Sequence, residues 1–303
     1  MTVSSVIHVL LLLAMPPLLL GVINKTKAAV AGRKGAPVLQ PYYDLARLLR
    51  KGSVFSSSTT WVFRAGPVVT LAATLLAALL VPLGNHPALL SFPGDMLLFA
   101  YLFGLARFFT TSAALDTGSS FEGMGAAREV TYACLVEPTL FFVLITLARM
   151  SKSLSLSPMF TYPTLQVWLS SGAVLLLLAN ALFIALLAEN CRIPFDDPNT
   201  HLELTMIHEV MVLDHSGPAF GMILYGAALK LFVLGALFTN LILPFKTGNP
   251  LPDWGIFIAA MLYLAMLIGL VESVMARLRL IRIPQLLVAA TILSAFAMLL
   301  IVR

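Results

Sequence analysis

The sequence predicts an all-α, polytopic membrane protein with about eight transmembrane helices and a cytoplasmic amphipathic helix after the first span. Three observations carry this. Mean hydropathy is +0.95, with 59% apolar and only 11% charged residues, which lies outside the range of a soluble globular chain. At roughly 20 residues per span, 303 residues accommodate about eight spans with short connections and no separate soluble unit, so 1–303 reads as a single membrane domain. The basic residues also gather in alternate connections, as membrane topology requires.

Taken in order, the spans fall at 3–23, 61–83, 92–115, 128–150, 166–189, 218–245, 254–275 and 282–302. The first lacks a preceding basic stretch and a following small-residue cleavage site, and Lys25 and Lys27 come after it. It reads as a retained span rather than a removed signal peptide. With both termini outside, the cytoplasmic connections are 24–60, 116–127, 190–217 and 276–281. Those connections and the adjoining helix ends (Arg64, Arg107, Arg128 and Arg282) then carry 14 of the 19 Lys and Arg residues, against Arg149, Lys152, Lys246 and Arg303 elsewhere and Lys230 within a span. The formal charge of +5 therefore encodes topology rather than affinity for nucleic acid.

The connection 24–60 is too long for a turn. Within it Leu45, Leu48 and Leu49 share one helical face, while Arg47, Arg50 and Lys51 lie towards the other; Pro41 suits the first helical turn and Gly52 the end. This segment reads as an interfacial helix, serving either as a surface anchor or as a docking site for a partner.

Ionisable residues inside the bilayer are costly unless paired, hydrated or neutralised. Glu129 and Glu137 lie on the fourth span, eight residues and about 12 Å apart along a helix, on one broad face. Lys230 lies deep in the sixth span and Glu272 near the cytoplasmic end of the seventh. Such groups either lock helices together or relay protons, because burial and neighbouring charges move their pKa values.

Between the fifth and sixth spans runs a polar island, Glu189 to Gly217. It holds Glu189, Asp196, Asp197, Glu203, Glu209 and Asp214, six of the 14 acidic residues, and three of the five histidines. Asp197 and Pro198 predict the start of a helix over about 200–213 with Leu204, Ile207 and Met211 on its apolar face. His201, His208 and His215 recur every seven residues, about 10 Å apart on one helix, too far for two to share an ion. Cys134 and Cys191 are distant in sequence and show no metal-ligand or redox spacing. No metal is therefore expected on this chain. The island reads as a packed acidic funnel, with hydrogen-bonded interface histidines as the competing account of His208 and His215.

The island's Ala188-Glu189, Arg192-Ile193-Pro194-Phe195-Asp196, Glu203-Leu204 and Ser216-Gly217, with the earlier run 35–49 (Gly-Ala-Pro-Val-Leu-Gln-Pro-Tyr-Tyr-Asp-Leu-Ala-Arg-Leu-Leu), resemble the H/ND1-type membrane protein family of respiratory complex I. The segment from Leu115-Asp116-Thr117-Gly118 to Arg128-Glu129, the run Glu272-Ser273-Val274-Met275-Ala276-Arg277 and the Leu229-Lys230 pair are similar to its hydrogenase branch, the formate hydrogenlyase subunit 4 and hydrogenase-4 component C type. The likeness spans essentially the whole chain. It implies a non-catalytic anchor and proton-coupling subunit in the cytoplasmic membrane of a bacterium or archaeon. The implied partners are large and small hydrogenase-like subunits carrying a nickel–iron centre and iron–sulfur clusters, together with antiporter-like membrane subunits and lipid. This chain itself would bind no cofactor. Ala227 stands where complex I proteins carry a glutamate, and the interval from Glu203-Leu204 to Ser216-Gly217 is longer than theirs, which disfavours quinone.

On this reading the proton-path candidates are Glu129, Glu137, Glu189, Asp196, Asp197, Glu203, His208, Glu209, Asp214, Lys230 and Glu272. The candidates for docking a redox arm are Arg33, Gln40, Asp44, Arg47, Arg128, Arg192, Arg277 and Arg279. Three rivals stay open: a quinone-binding subunit of a complex I-like NADH:quinone oxidoreductase, a cation/proton antiporter acting alone, and an anchor with no proton path. The antiporter would need repeats or paired broken helices, which the sequence does not show.

Overall fold

The computed structural model describes residues 3–196, 206–245 and 247–302. Among these, ten α-helices follow in order: α1 Val3–Val30, α2 Gln40–Leu49, α3 Trp61–Leu79, α4 Asp95–Asp116, α5 Ser120–Ser151, α6 Leu156–Thr161, α7 Leu165–Glu189, α8 Gly217–Ile242, α9 Pro250–Val274 and α10 Ile283–Val302. Eight of them, all but α2 and α6, are long and apolar enough to cross a membrane. The shortest of these, α3, has 19 residues, about 28 Å, which matches a hydrocarbon core of about 30 Å.

The helices run further than hydropathy indicates. Helix α1 continues to Val30 rather than stopping at 23, and α5 begins at Ser120, so the expected loop 116–127 contracts to Thr117–Ser119. Polarity misleads at both places, because Lys25, Lys27, Glu122 and Arg128 are helical residues whose side chains find partners. Glu122, for instance, is buried and accepts from the backbone N–H of Asp214 at 3.2 Å.

Helix α8 is the hub, with 67% of its most apolar window buried, packed against α3, α1 and α7. Helices α3 and α4 pair along their length, α1 lies against α9, and α10 packs against both α5 and α7. A Cβ at Gly269 would stand 3.0 Å from the Ile23 carbonyl and 2.9 Å from Thr26 Cβ, so α1 and α9 approach this closely only because the residue is glycine. The outer surface carries exposed Leu13, Tyr101, Phe108, Leu169, Tyr263 and Ile292, a lipid-facing skin that would be a liability in water.

The two ends of the bundle are fastened differently. At the end bearing α2 and the polar island, Asp116 at the finish of α4 accepts the backbone N–H groups of Thr60 (2.7 Å) and Phe63 (3.2 Å). The carboxylate is unfavourable for its own helix C-terminus but caps the N-terminus of α3. At the opposite end, buried Asp95 accepts from Ser155 Oγ and the Leu156 N–H, both at 2.7 Å, which holds α6 in place. Asn240 there accepts from the Gly84 N–H and donates to the Pro82 carbonyl.

Candidate functional site

The polar centre of the bundle is built around Arg107, which by sequence position alone is a topology signal. Arg107 lies in the middle of α4, not at its end. Its Nη2 donates to both oxygens of Glu189 at 2.7 and 2.9 Å, and its Nη1 donates to Glu137 Oε1. Its Nε is 3.9 Å from Glu129 Oε1. From the other side Lys230 Nζ reaches Glu189 Oε2 at 2.6 Å. Four helices thus meet: α4 supplies Arg107, α5 Glu129 and Glu137, α7 Glu189, and α8 Lys230.

Placement follows from helix geometry. Glu129 and Glu137 share a face of α5, as their spacing predicts, and both turn to one guanidinium. Glu189 is the last residue of α7, where a lone carboxylate would oppose the helix dipole; two cations on one side chain offset that. A planar guanidinium suits the centre because its fork can serve several carboxylates at fixed angles, which a lysine cannot do. Three carboxylates meet two cations, so the fully ionised cluster carries −3 + 2 = −1.

The network separates two chambers. One, of about 540 Å³, lies towards the island and is lined by Asp44, Glu129, Cys191 and His208 among others. The second, of about 340 Å³, is lined by Phe99, Phe103, Phe141 and Glu137. Arg107, Glu189 and Phe103 line both, so the Arg107–Glu189 pair stands between them. Glu137, with a side chain 45% exposed, stands on the far side of it.

Two further ion clusters lie nearby but apart. Glu272, with a fully buried side chain, accepts from Arg192 Nη1 at 3.3 Å and lies 2.8 Å from Lys27 Nζ. It is therefore not among Arg107's partners. Asp196, also buried, pairs with Arg277 at 2.8 Å and accepts the Ile207 N–H at 2.9 Å. Arg128 donates to the Met206 carbonyl at 2.9 Å. These contacts draw 206–212 onto α5 at Gly125, where an added Cβ would stand 2.3 Å from Val210 Cγ1 and 3.0 Å from the Ile207 carbonyl.

The expected helix over about 200–213 is, in its described part, only a 3-10 turn, Glu209–Val212. Tertiary contacts to Asp196, Arg128 and Gly125 override the helical pattern there. Asp197, His201 and Glu203 lie outside the described residues. Glu209 lines the larger chamber, and Asp214 is exposed at the surface.

Of the docking candidates, Arg33, Arg47 and Arg279 are exposed at the surface. Gln40 Nε2 donates to Asp44 Oδ1 at 2.9 Å along α2. Arg128, Arg192 and Arg277 are occupied within the chain by the contacts above. Beside the centre, burial holds the His208 imidazole below its usual range, with Lys230 adding to the effect and Glu129 opposing it. Burial and the neighbouring carboxylates push the Cys191 thiol well up. His215, stacked on Phe63 with centroids 3.9 Å apart, is lowered by burial to about 4.

The fold and this site define a multi-pass membrane protein with a buried ion network at its centre. The pattern of the family described as NADH dehydrogenase matches residues 2–303, and the chain belongs to that family as a membrane subunit of the complex I-like class. It is 34% identical to formate hydrogenlyase subunit 4 of Escherichia coli (strain K12) over 286 residues, covering 92% of each chain. It is 31% identical to hydrogenase-4 component C of the same organism, over 83% of this chain and 78% of that one. In fold, the chain is similar to one in the structure of the membrane-bound sulfane sulfur reductase, an archaeal respiratory membrane complex, with a TM-score of 0.81 at 22% identity over 98% of this chain and 97% of that one.

Proposed function

We propose that this chain anchors a redox module of the hydrogenase or formate hydrogenlyase type to the membrane and couples its turnover to proton movement. The observation that carries the reading is the Arg107–Glu189 pair between two chambers, held in a network of three carboxylates and two cations. Lys230 and Arg107 compete for Glu189. A change of charge at the island end shifts that competition, and a proton taken up on the island side by Glu129 or Glu189 releases Arg107 towards Glu137. Glu137, on the far side and partly exposed, is the outlet to a neighbouring antiporter-like subunit. The surface residues Arg33, Arg47 and Arg279, with α2, form the face for hydrogenase-like large and small subunits carrying the nickel–iron and iron–sulfur centres. On this reading the island faces the cytoplasm of a bacterium or archaeon and both termini lie outside.

The test is proton translocation by the assembled complex in proteoliposomes. Lys230→Met should leave assembly and electron transfer in place and cut translocated protons per turnover at least tenfold. Full translocation in that variant overturns the proposal. A second reading, quinone binding, is favoured by the size of the larger chamber, about 540 Å³, within the span of ligand pockets. Displacement of a quinone analogue by substitution of chamber residues such as Asp44 would select it.

A further inference from the structure

The larger chamber holds a group of side chains whose chemistry differs from that of the ion network. Glu129, Cys191 and His208 each offer one potential ligand atom, and the three atoms lie within 4.8 Å of one another. Cys191 Sγ and Glu129 Oε2 are 3.9 Å apart. Two ligands about 2.0–2.3 Å from a tetrahedral ion lie roughly 3.5 Å apart, so that pair is close to ligating distance and the widest must close by about 1 Å. The three come from α5, the turn after α7 and the segment drawn onto α5 by Asp196 and Arg128. They converge only when the island is docked, which is why no sequence spacing shows them.

We propose that Glu129, Cys191 and His208 form a binding site for one borderline-soft divalent metal ion, of which zinc is the natural example. One oxygen, one sulfur and one nitrogen make a three-ligand set of the kind that leaves a fourth position to water. The chamber supplies that water and the route of entry. His208 is held neutral by its burial, the form that ligates. The Cys191 thiol stays protonated without metal, and the incoming ion displaces that proton to solvent through the chamber, one proton released per ion bound. Arg107 and Lys230 oppose a cation here, but the Arg107–Glu129 contact is the longest in the network at 3.9 Å, so Glu129 is the carboxylate most readily given up. An occupied site would take Glu129 from Arg107 and set a dication beside the Arg107–Glu189 pair. If the coupling reading above also holds, the metal slows proton-coupled turnover.

Cobalt is the probe, because a cobalt–thiolate bond has its own charge-transfer absorption, independent of turnover. The full chain in detergent should bind one Co²⁺ with that band, and zinc should abolish it. The Cys134→Ser variant, which leaves Cys191 as the sole thiol, should keep the band. Cys191→Ser should lose it and weaken binding at least tenfold. Absence of a thiolate band in the folded wild-type chain, or its loss in Cys134→Ser, overturns the site even if Cys191→Ser misfolds. In the assembled complex, zinc should slow turnover in the wild type and at least tenfold less effectively in Cys191→Ser. If the band is present but turnover ignores zinc, the site stands and its link to coupling fails.

Discussion

Arg107→Met is the most informative single perturbation of this protein. Methionine preserves the apolar stem and removes the guanidinium that Glu129, Glu137 and Glu189 share. Orphaning a buried charge costs about 3–5 kcal/mol, but the three acids are not equally exposed to that loss. Glu189 keeps Lys230 at 2.6 Å, and Glu137, with a side chain 45% exposed, can be hydrated. Glu129 loses only a 3.9 Å contact, and each acid can escape by taking a proton. The net loss is therefore about 2–4 kcal/mol, less than the full cost of breaking a buried pair. At about 2–4 °C per kcal/mol for a chain of this size, the melting midpoint should fall by about 4–16 °C. Tryptophan fluorescence in detergent reads this directly. In a double-mutant cycle, Arg107→Met with Glu189→Gln should recover about 1–3 kcal/mol of the summed single losses, because the two groups touch. An unchanged midpoint in Arg107→Met, or strict additivity in the cycle, would refute the role of Arg107 as the centre of the ion network.

Gly125→Val should detach the 206–212 segment, since even a Cβ meets Val210 Cγ1 at 2.3 Å; overpacking of about 1–3 kcal/mol would appear as faster proteolysis within the island. Asp116→Asn should lower the melting midpoint measurably by weakening the cap on α3, whereas Asp116→Glu should retain part of that loss because the longer carboxylate is misplaced for both N–H donors. His215 contributes a pH dependence of known sign: its folded pKa of about 4 lies below the ordinary 6.5, so the unfolded chain binds the extra proton. Its contribution is present above about pH 6.5 and is lost as pH falls towards about 4. His215→Phe, keeping the stack on Phe63, should flatten the melting midpoint between those two pH values.

The helices were legible because bilayer thickness and the cost of unpaired backbone leave a long apolar segment few alternatives. The amphipathic α2 was legible from the period of Leu45, Leu48 and Leu49. Glu129, Glu137 and Lys230 stood out as charges where hydrocarbon belongs. Arg107 did not, although it lies just as deep, because arginines near a span's end ordinarily report topology. Its signal was there in position: eight residues of the third span as read from hydropathy follow it before Asp116. The separation of Glu272 from the central network, and the convergence of Cys191 on Glu129 and His208, were not legible, since both depend on which helices neighbour one another. The island's helical pattern failed where three long-range contacts, through Asp196, Arg128 and Gly125, outweigh a preference worth tenths of a kcal/mol per residue.

The central claim is that the carboxylates around Arg107 change protonation when the attached redox module changes charge. The most direct measurement is a reduction-induced infrared difference spectrum of the assembled, membrane-embedded complex in the carboxylic C=O region. The expected result is a protonation signal that is lost or displaced in Glu189→Gln and sensitive to Lys230→Met. A spectrum without a carboxylic signal, or one identical in wild type and Glu189→Gln, would contradict it.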